Sequence, residues 1–453
     1  MLRDKKAKFK SLTLIELLVS IGIMIALIAA GAPILLRGAR QVGKTYLVEQ
    51  FGKTQFSNVV TINLEFQPQL KRCFDTLAPT EILSKLQLML NIRFDQHTDL
   101  LFIDEIQECP PAIMSLRYFK EMMPNLHVIG AGSLLDFALR SSEFKMPVGR
   151  VQFLHIYPLS FSEFLVAIGH DQLCEYSSEI SSPVDEIIHC QLLDLFRLYI
   201  LVGGMPASVN AYLGSHDLAD CQRVQTSLLQ AYRNDFGKYA SYAQQKYLLR
   251  TFDAIPSLIG QQIKYSHIDS TSKSRDIKTA MELLTLAGLA YPIYATSASG
   301  MPLGAQVDFQ RFKAQFLDTG LAQNVNSLQA DIQFKDFTLV NSGAIAEHVA
   351  GQELISYSDP YQPAKLYYWA RNKPNSQAEI DFLFPLEGFA FPIEVKSGKT
   401  GTLKSLHLYL DEKKVPFGIK LSKDNLSYHQ RVLSVPIYLV EQLPRLIRSQ
   451  LMK

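Results

Sequence analysis

Residues 38–45 read GARQVGKT, which fits the pattern G-x-x-x-x-G-K-[ST] at Gly38, Gly43, Lys44 and Thr45. Each fixed position has a physical reason. Glycines let backbone N–H groups curl around phosphate oxygens. The lysine reaches the β- and γ-phosphates, and the threonine hydroxyl ligates magnesium. The flanks give the loop its context. APILLR (Ala32–Arg37) is a short buried-strand pattern, and TYLVEQFGK (Thr45–Lys53) sets Leu47, Val48 and Phe51 on one helical face. Strand, glycine loop and helix in that order predict an α/β domain that binds a nucleotide.

Such a loop needs an acid at the end of a neighbouring strand. DLLFIDEIQECP (Asp99–Pro110) supplies it: Leu100–Ile103 is the strand, with Asp104 and Glu105 at its carboxyl end, where open α/β sheets bind ligands. Asp104 is expected to hold the magnesium through water and Glu105 to polarise the attacking water. A third strand lies in NLHVIGAGSLL (Asn125–Leu135), and Ser133 at its polar end reads equally as a γ-phosphate sensor or a turn serine. Arg150 precedes the strand Val151–Tyr157 and reads either as an arginine finger, which neutralises charge during phosphoryl transfer, or as a surface arginine. Arg140 is a weaker candidate for the same task.

Composition narrows the class. With 47% hydrophobic and 19% charged residues in 453, the chain has the make-up of a globular protein of two or three domains. A net charge of +2 gives no global pull toward nucleic acid or anionic membrane, so such binding needs a local patch. Cys73, Cys109, Cys174, Cys190 and Cys221 form no C-x-x-C pair and are odd in number. That argues against a disulfide framework or zinc site and favours a reducing cytosol.

The ordered motifs LLRGARQVGKT, LLFIDEIQECP, VIGAGSLL, PVGRVQFLHIYPLSFSEFL (Pro147–Leu165) and LVGGMPASV (Leu201–Val209) resemble a bacterial and archaeal AAA-type ATPase family whose members carry a C-terminal extension. The resemblance implies a five-stranded parallel sheet over 33–160, with VVTINLEF (Val59–Phe66) as the strand between the two nucleotide motifs. Residues 161–243 are expected to form a helical lid. Residues 244–300 read as a winged helix, with its second helix from about Ser274 to Ala287 and a strand at Leu289–Tyr294. Lys273, Arg275 and Lys278 open that helix, the end that touches base edges in a DNA reader; the other reading is a solvated face on a protein-contact fold. YRNDFGKYA (Tyr232–Ala240) resembles the family without a chemistry of its own.

The region 301–453 holds a second constellation. AEIDFLFPLEGFAFPIEVKSGKTG (Ala378–Gly401) reads as a β-hairpin, with Glu379 and Asp381 on one face of strand Ala378–Phe384 and Glu394 and Lys396 on one face of Ala390–Lys396. Two converging carboxylates make a hard-oxygen magnesium site, and a nearby lysine serves phosphodiester cleavage. The hairpin resembles the PD-(D/E)XK nuclease superfamily, which implies a restriction-endonuclease-like α/β domain. Asp381 and Glu394 would be its metal ligands, Lys396 its lysine, and Glu347 in NSGAIAEHVAGQELI its helical acid. Ile380 stands where that motif has proline. Asp318 in FLDTGLA (Phe316–Ala322) reads as a turn residue.

The N-terminus points elsewhere. Leu17–Leu36 is twenty residues without a charge, behind Arg3, Lys5, Lys6, Lys8 and Lys10, which meets the length of a membrane span. Residues 1–32 resemble a type IV pilin or pseudopilin start: Thr13, Leu14, Ile15 and Glu16 match, while Ser11 and Leu12 replace the glycine and phenylalanine. A span here would send the phosphate loop outward, away from ATP. The expectation is a pilin-type segment fused to a cytoplasmic ATPase, with inner-membrane anchoring through 12–32 as the alternative. ATP and Mg²⁺ are the expected cofactors, and DNA and a second copy of the chain the expected partners.

Overall fold

A computed structural model describes residues 31–133, 135, 149–326, 342–371, 378–397 and 403–453. Of the pilin-like segment it describes only Gly31 and Ala32, so that expectation lies outside the described residues, as does Arg140. The chain divides into two compact units, residues 1–157 with 359–363, and 158–358 with 364–453.

The first unit is built on five strands: β1 (Ile34–Arg37), β2 (Asn58–Asn63), β3 (Asp99–Asp104), β4 (His127–Ala131) and β5 (Gln152–His155). Helix α1 (Lys44–Gln55) links β1 to β2, α2 (Pro79–Leu90) links β2 to β3, and α3 (Pro110–Met122) links β3 to β4. The strand order is β2-β3-β4-β1-β5, and every pair is parallel. The apolar runs ILL and LLFI fit this place because strands covered on both faces bury every side chain. Ile34, Leu36, Leu100 and Phe102 pack with Val48 and Phe51 of α1. Leu35, Leu101 and Ile103 face the other way, onto Leu83 and Leu86 of α2 and Ile113, Leu116 and Phe119 of α3. The sheet expected from the sequence is thus present, including the strand between the two motifs.

The second unit opens with helices: α4 (Phe161–Ala167), α5 (Asp171–Glu179), α6 (Glu186–Val202), α7 (Pro206–Ser215) and α8 (Leu218–Tyr239). Then come α9 (Tyr242–Ala254), the single turn α10 (Tyr265–Ile268), α11 (Ser274–Leu286), and the antiparallel strands β6 (Ala290–Thr296) and β7 (Val307–Phe316). Helix α12 (Thr319–Val325), α13 (Ser342–Ser356) and β8 (Leu366–Ala370) follow. Next are β9 (Glu379–Ile380), β10 (Phe382–Leu386), β11 (Phe389–Lys396), α14 (Lys404–Lys413), β12 (Gly418–Ser422), β13 (Ser427–His429), β14 (Val432–Pro436) and α15 (Leu443–Leu451). They form two mixed sheets, ordered β7-β6-β8-β9 and β10-β11-β12-β14-β13.

Two sequence expectations change here. The boundary at 300 falls inside the β6–β7 hairpin, and β6 also pairs with β8, so the hairpin is part of a C-terminal sheet. The strand expected over Ala378–Phe384 breaks at Asp381: Ile380 pairs with Trp369 of β8, whereas Phe382 pairs with Ile393 of β11. The chain crosses from one sheet to the other at that aspartate. The expected hairpin is β10–β11, closed by Glu387 and Gly388 at φ 49° and 79°, the two positive values of a type I′ turn.

Two of the family-like motifs, those with Phe161 and Gly204, meet in one buried polar network with α12 and α13. Glu353 on α13 accepts hydrogen bonds from the Phe161 N–H (3.1 and 3.2 Å) and the Tyr199 hydroxyl (2.9 Å). Gln352 donates to the Tyr199 oxygen (2.8 Å) and accepts from the Thr319 N–H (2.7 Å). Asp318 caps α12 through the Leu321 N–H (3.0 Å) and accepts from the Gly204 N–H (2.6 Å). It is the turn residue expected, now fully buried. Gly204 has no room for a side chain: a Cβ there would stand 2.1 Å from the Leu159 carbonyl oxygen.

Burial pushes the Glu353 carboxyl up to about 8, Glu163 to about 7 and Asp318 to about 6. Acids raised in the folded state give stability that is full below about pH 4 and is lost as pH rises through those values. The melting temperature of the second unit is therefore expected to fall between about pH 4.5 and about pH 8. Glu353→Gln, which keeps an acceptor without the charge, flattens the upper part of that fall. Glu353→Ala costs about 3 kcal/mol by stranding buried donors. Melting curves across that range check all three.

Candidate functional site

Parallel pairing puts the carboxyl ends of β1, β2, β3 and β4 on one edge of the first sheet. The phosphate loop leaves β1 there. Gly38 has φ 143°, and a Cβ on it would stand 2.2 Å from the Ile156 carbonyl oxygen. Gly43, at φ 97°, turns the loop into α1. Both conformations resist any other residue. Lys44 is buried, and its Nζ donates to the carbonyls of Gly38 (2.9 Å) and Ala39 (2.8 Å). Burial lowers its pKa to about 8, with Glu105 and Asp104 pulling the other way.

Asp104 ends β3 opposite the loop. Its Oδ2 accepts from the Thr45 hydroxyl (3.2 Å) and the Asn63 amide (3.2 Å), and its Oδ1 from the Glu105 N–H (3.0 Å). Glu105 stands at φ 48°, an uncommon conformation for a non-glycine residue. Its Oε2 accepts from Gln107 Nε2 at 2.5 Å. Gln107 in turn lies against Gly132, where a Cβ would meet Oε1 at 2.1 Å. Ser133 is buried just beyond β4 on the same edge. Gly38, Gly43, Lys44, Thr45, Asp104, Glu105 and Ser133 are thus brought together.

Arg150 is not. It precedes Gln152, which pairs with Ile34, so it lies on the amino edge of the sheet, about 10 Å of strand from the loop edge. Its Nε donates to Glu121 (3.2 Å), which also holds Arg117 (3.0 Å). An arginine finger acting on the chain's own loop is corrected by this placement. Asn63 and Gln107 were missed: one is the end of an alternating strand, the other a polar residue three past an acid. Strand register brings Asn63 to Asp104, and the turn after β3 brings Gln107 to Glu105.

The second constellation also assembles, around a residue that the sequence reading missed. Lys313 on β7 places Nζ 2.9 Å from Glu347, 2.6 Å from Glu379 and 4.0 Å from Asp381, with the Tyr368 ring at 5.3 Å. Asp381 Oδ2 accepts from the Val395 N–H (2.8 Å), and Lys396 donates to Glu394 Oε1 (2.6 Å). Glu394 Oε2 is buried without a hydrogen-bond partner. Burial, then the Asp381 charge, pushes Glu347 and Glu394 up to about 7; burial also raises Asp381. Burial alone would lower Lys313, but Glu347, Asp381 and Glu379 together hold it above the usual lysine range. No sequence spacing links Lys313 to this hairpin, so nothing local signals it.

Lys273, Arg275 and Lys278 are exposed at the start of α11. Among the described residues no single helix is long and apolar enough to cross a membrane.

Comparison with known proteins gives three family matches. Residues 31–165 match an AAA domain, 193–332 a domain of unknown function (DUF8612), and 342–439 a domain of unknown function (DUF4143). No curated protein matches. Among solved structures, the chain is similar to the Walker-type ATPase PABY2304 of Pyrococcus abyssi, at 15% identity and TM-score 0.43, over 68% of this chain and 95% of that one. It is also similar to the RuvB Holliday junction branch migration motor of Thermotoga maritima, at 15% identity and TM-score 0.26, over 61% and 88%. A third likeness is to PCH-2 of C. elegans, at 13% identity and TM-score 0.27, over 46% and 64%. The first unit contains an AAA-type P-loop ATPase domain.

A lysine at about 8 makes phosphate binding proton-linked. A bound phosphate holds Lys44 charged, whereas above pH 8 the free loop has lost that proton and must take it back. Nucleotide affinity is therefore expected to fall about tenfold per pH unit above about 8, with about one proton taken up per binding event. Calorimetry at about pH 9 in buffers of different ionisation heat measures the uptake.

Proposed function

We propose that this protein binds and hydrolyses Mg-ATP at the Gly38–Thr45 loop. The observation that carries the reading is the Thr45 hydroxyl bonded to the Asp104 carboxylate across 59 residues of sequence. It joins the loop to the acid at the edge where both are needed. Gly38 and Gly43 keep side chains away from the phosphates. Lys44, now on loop carbonyls, exchanges them for β- and γ-phosphate oxygens, a charge-assisted contact stronger than the one it leaves. Thr45 and Asp104 are the residues that would hold the magnesium, and their oxygen donors suit that hard cation. When bound, magnesium neutralises phosphate charge. Glu105 orients the attacking water and accepts its proton, with Gln107 fixing the carboxylate. Ser133 reads the γ-phosphate. Arg150, on the opposite edge, is left as a surface arginine bonded to Glu121. ATP chemistry of this kind belongs in the cytoplasm.

Lys44→Ala is expected to weaken ATP binding at least about 100-fold. Glu105→Gln should keep binding while slowing hydrolysis by about 100-fold or more, the range for loss of a general base. Phosphate release and ATP titration on the same preparations test both. Glu105→Gln that still turns over normally removes the base assignment.

A second reading concerns the C-terminal part. Glu347, Asp381, Glu394 and Lys396 gather from one helix and one hairpin, as in a nuclease-like core, and we read that domain as a DNA-binding module. The helix order α9, α10, α11 followed by the β6–β7 hairpin is compatible with a winged helix, and Lys273, Arg275 and Lys278 are its candidate phosphate contacts. Replacing all three by alanine is expected to weaken duplex binding and to reduce the salt slope by about 3. Anisotropy titrations at two or more salt concentrations decide it; an unchanged slope removes these residues from the interface.

A further inference from the structure

A metal-dependent phosphodiesterase site needs carboxylate oxygens free to surround a divalent cation, six or more with water included. In the second constellation each carboxylate already has one oxygen engaged by a protein donor. Asp381 Oδ2 is committed to the Val395 N–H, and Glu394 Oε1 to Lys396. Glu347 Oε1 is on Lys313, and its Oε2 is backed by Gly260, where a Cβ would stand 2.9 Å away. Glu379 is on Lys313. Glu394 Oε2 is buried without a hydrogen-bond partner. Among the described residues, no three acidic, histidine or cysteine side chains are arranged to hold a metal ion.

What does occupy the cluster is an ammonium. Lys313 is 1% exposed, lies in the sheet of β9 rather than that of the β10–β11 hairpin, and reaches the helical acid and both acids of the Glu379–Asp381 segment. A buried ammonium without partners is strongly disfavoured, and so are buried carboxylates without a cation. Each explains the other.

We propose that Lys313 is the resident cation of this carboxylate cluster, in the place a divalent metal holds in a metal-dependent nuclease. The ammonium and a metal are mutually exclusive, and the domain keeps its nuclease-like arrangement without metal. This rests on the contact geometry and is independent of whether the domain binds DNA. Lysine contributes charge but no open coordination position, so the cluster does not generate a metal-bound nucleophile.

The test is Mn²⁺ titration of the full-length, nucleotide-free protein by isothermal calorimetry, with Asp381→Ala, Lys313→Met and the double variant. The wild type and Asp381→Ala are expected to take up the same amount of Mn²⁺. Lys313→Met is expected to melt lower than wild type without metal. It should gain one Asp381-dependent Mn²⁺ site and recover stability as that site fills. Wild-type uptake that disappears in Asp381→Ala overturns the proposal. So does a Lys313→Met protein that melts like wild type or gains no site. If Lys313→Met does not fold even with Mn²⁺, the wild-type comparison with Asp381→Ala decides alone. Loss of DNA binding in the anisotropy assay bears only on the DNA reading and leaves this result untouched.

Discussion

The Asp104 carboxylate is where the first unit's chain segments are tied together. It closes the central part of a parallel sheet, and it accepts from the helix after the loop, from the end of the edge strand β2, and from the backbone of its own neighbour. A buried carboxylate without donors is costly, so these contacts hold three loops in register. The apolar strands beneath it have the complementary task. Leu100–Ile103 are fully buried, and their burial on two faces fixes where β3 ends. Phosphate-binding geometry thus follows from hydrophobic packing, with one acid converting strand register into a site.

The second unit solves a different problem. Its helices and sheets meet through polar side chains that cannot reach water, and Glu353, Gln352, Tyr199 and Asp318 satisfy one another and the backbone. The tight glycines of LVGGMP exist because Leu159 and Asp318 lie against them. A set of motifs that resists a chemical reading as sequence is accounted for as packing. The cluster around Lys313 follows the same logic of internal neutralisation, with charge in place of neutral hydrogen bonds.

Much of the first unit was legible because its signals are local. The strand and helix patterns beside GARQVGKT, and the acids closing LLFIDE, place their elements within two residues or so. The hairpin at 382–396 was legible from alternation. Three things were not. Lys313 lies 34 residues from Glu347 and has no pattern that binds it to the hairpin. The break at Asp381 is a change of sheet, which alternation alone reads as one strand. Arg150 stayed open between an arginine finger and a surface arginine because sequence gives no sense of which edge of a parallel sheet a residue occupies. The N-terminal collision is sharpened as well: Ile34, Leu35 and Leu36, counted in the long apolar run, are fully buried in the sheet, so they are unavailable to a membrane.

The most direct test of the central claim is hydrogen–deuterium exchange of the full-length protein with and without Mg-ATP. Slowed exchange confined to the loop at 38–45, the β3 end at 104–107 and the β4 end at 131–133 is the result this account predicts. Unchanged exchange at the loop under saturating Mg-ATP, or protection located only in the second unit, would contradict it.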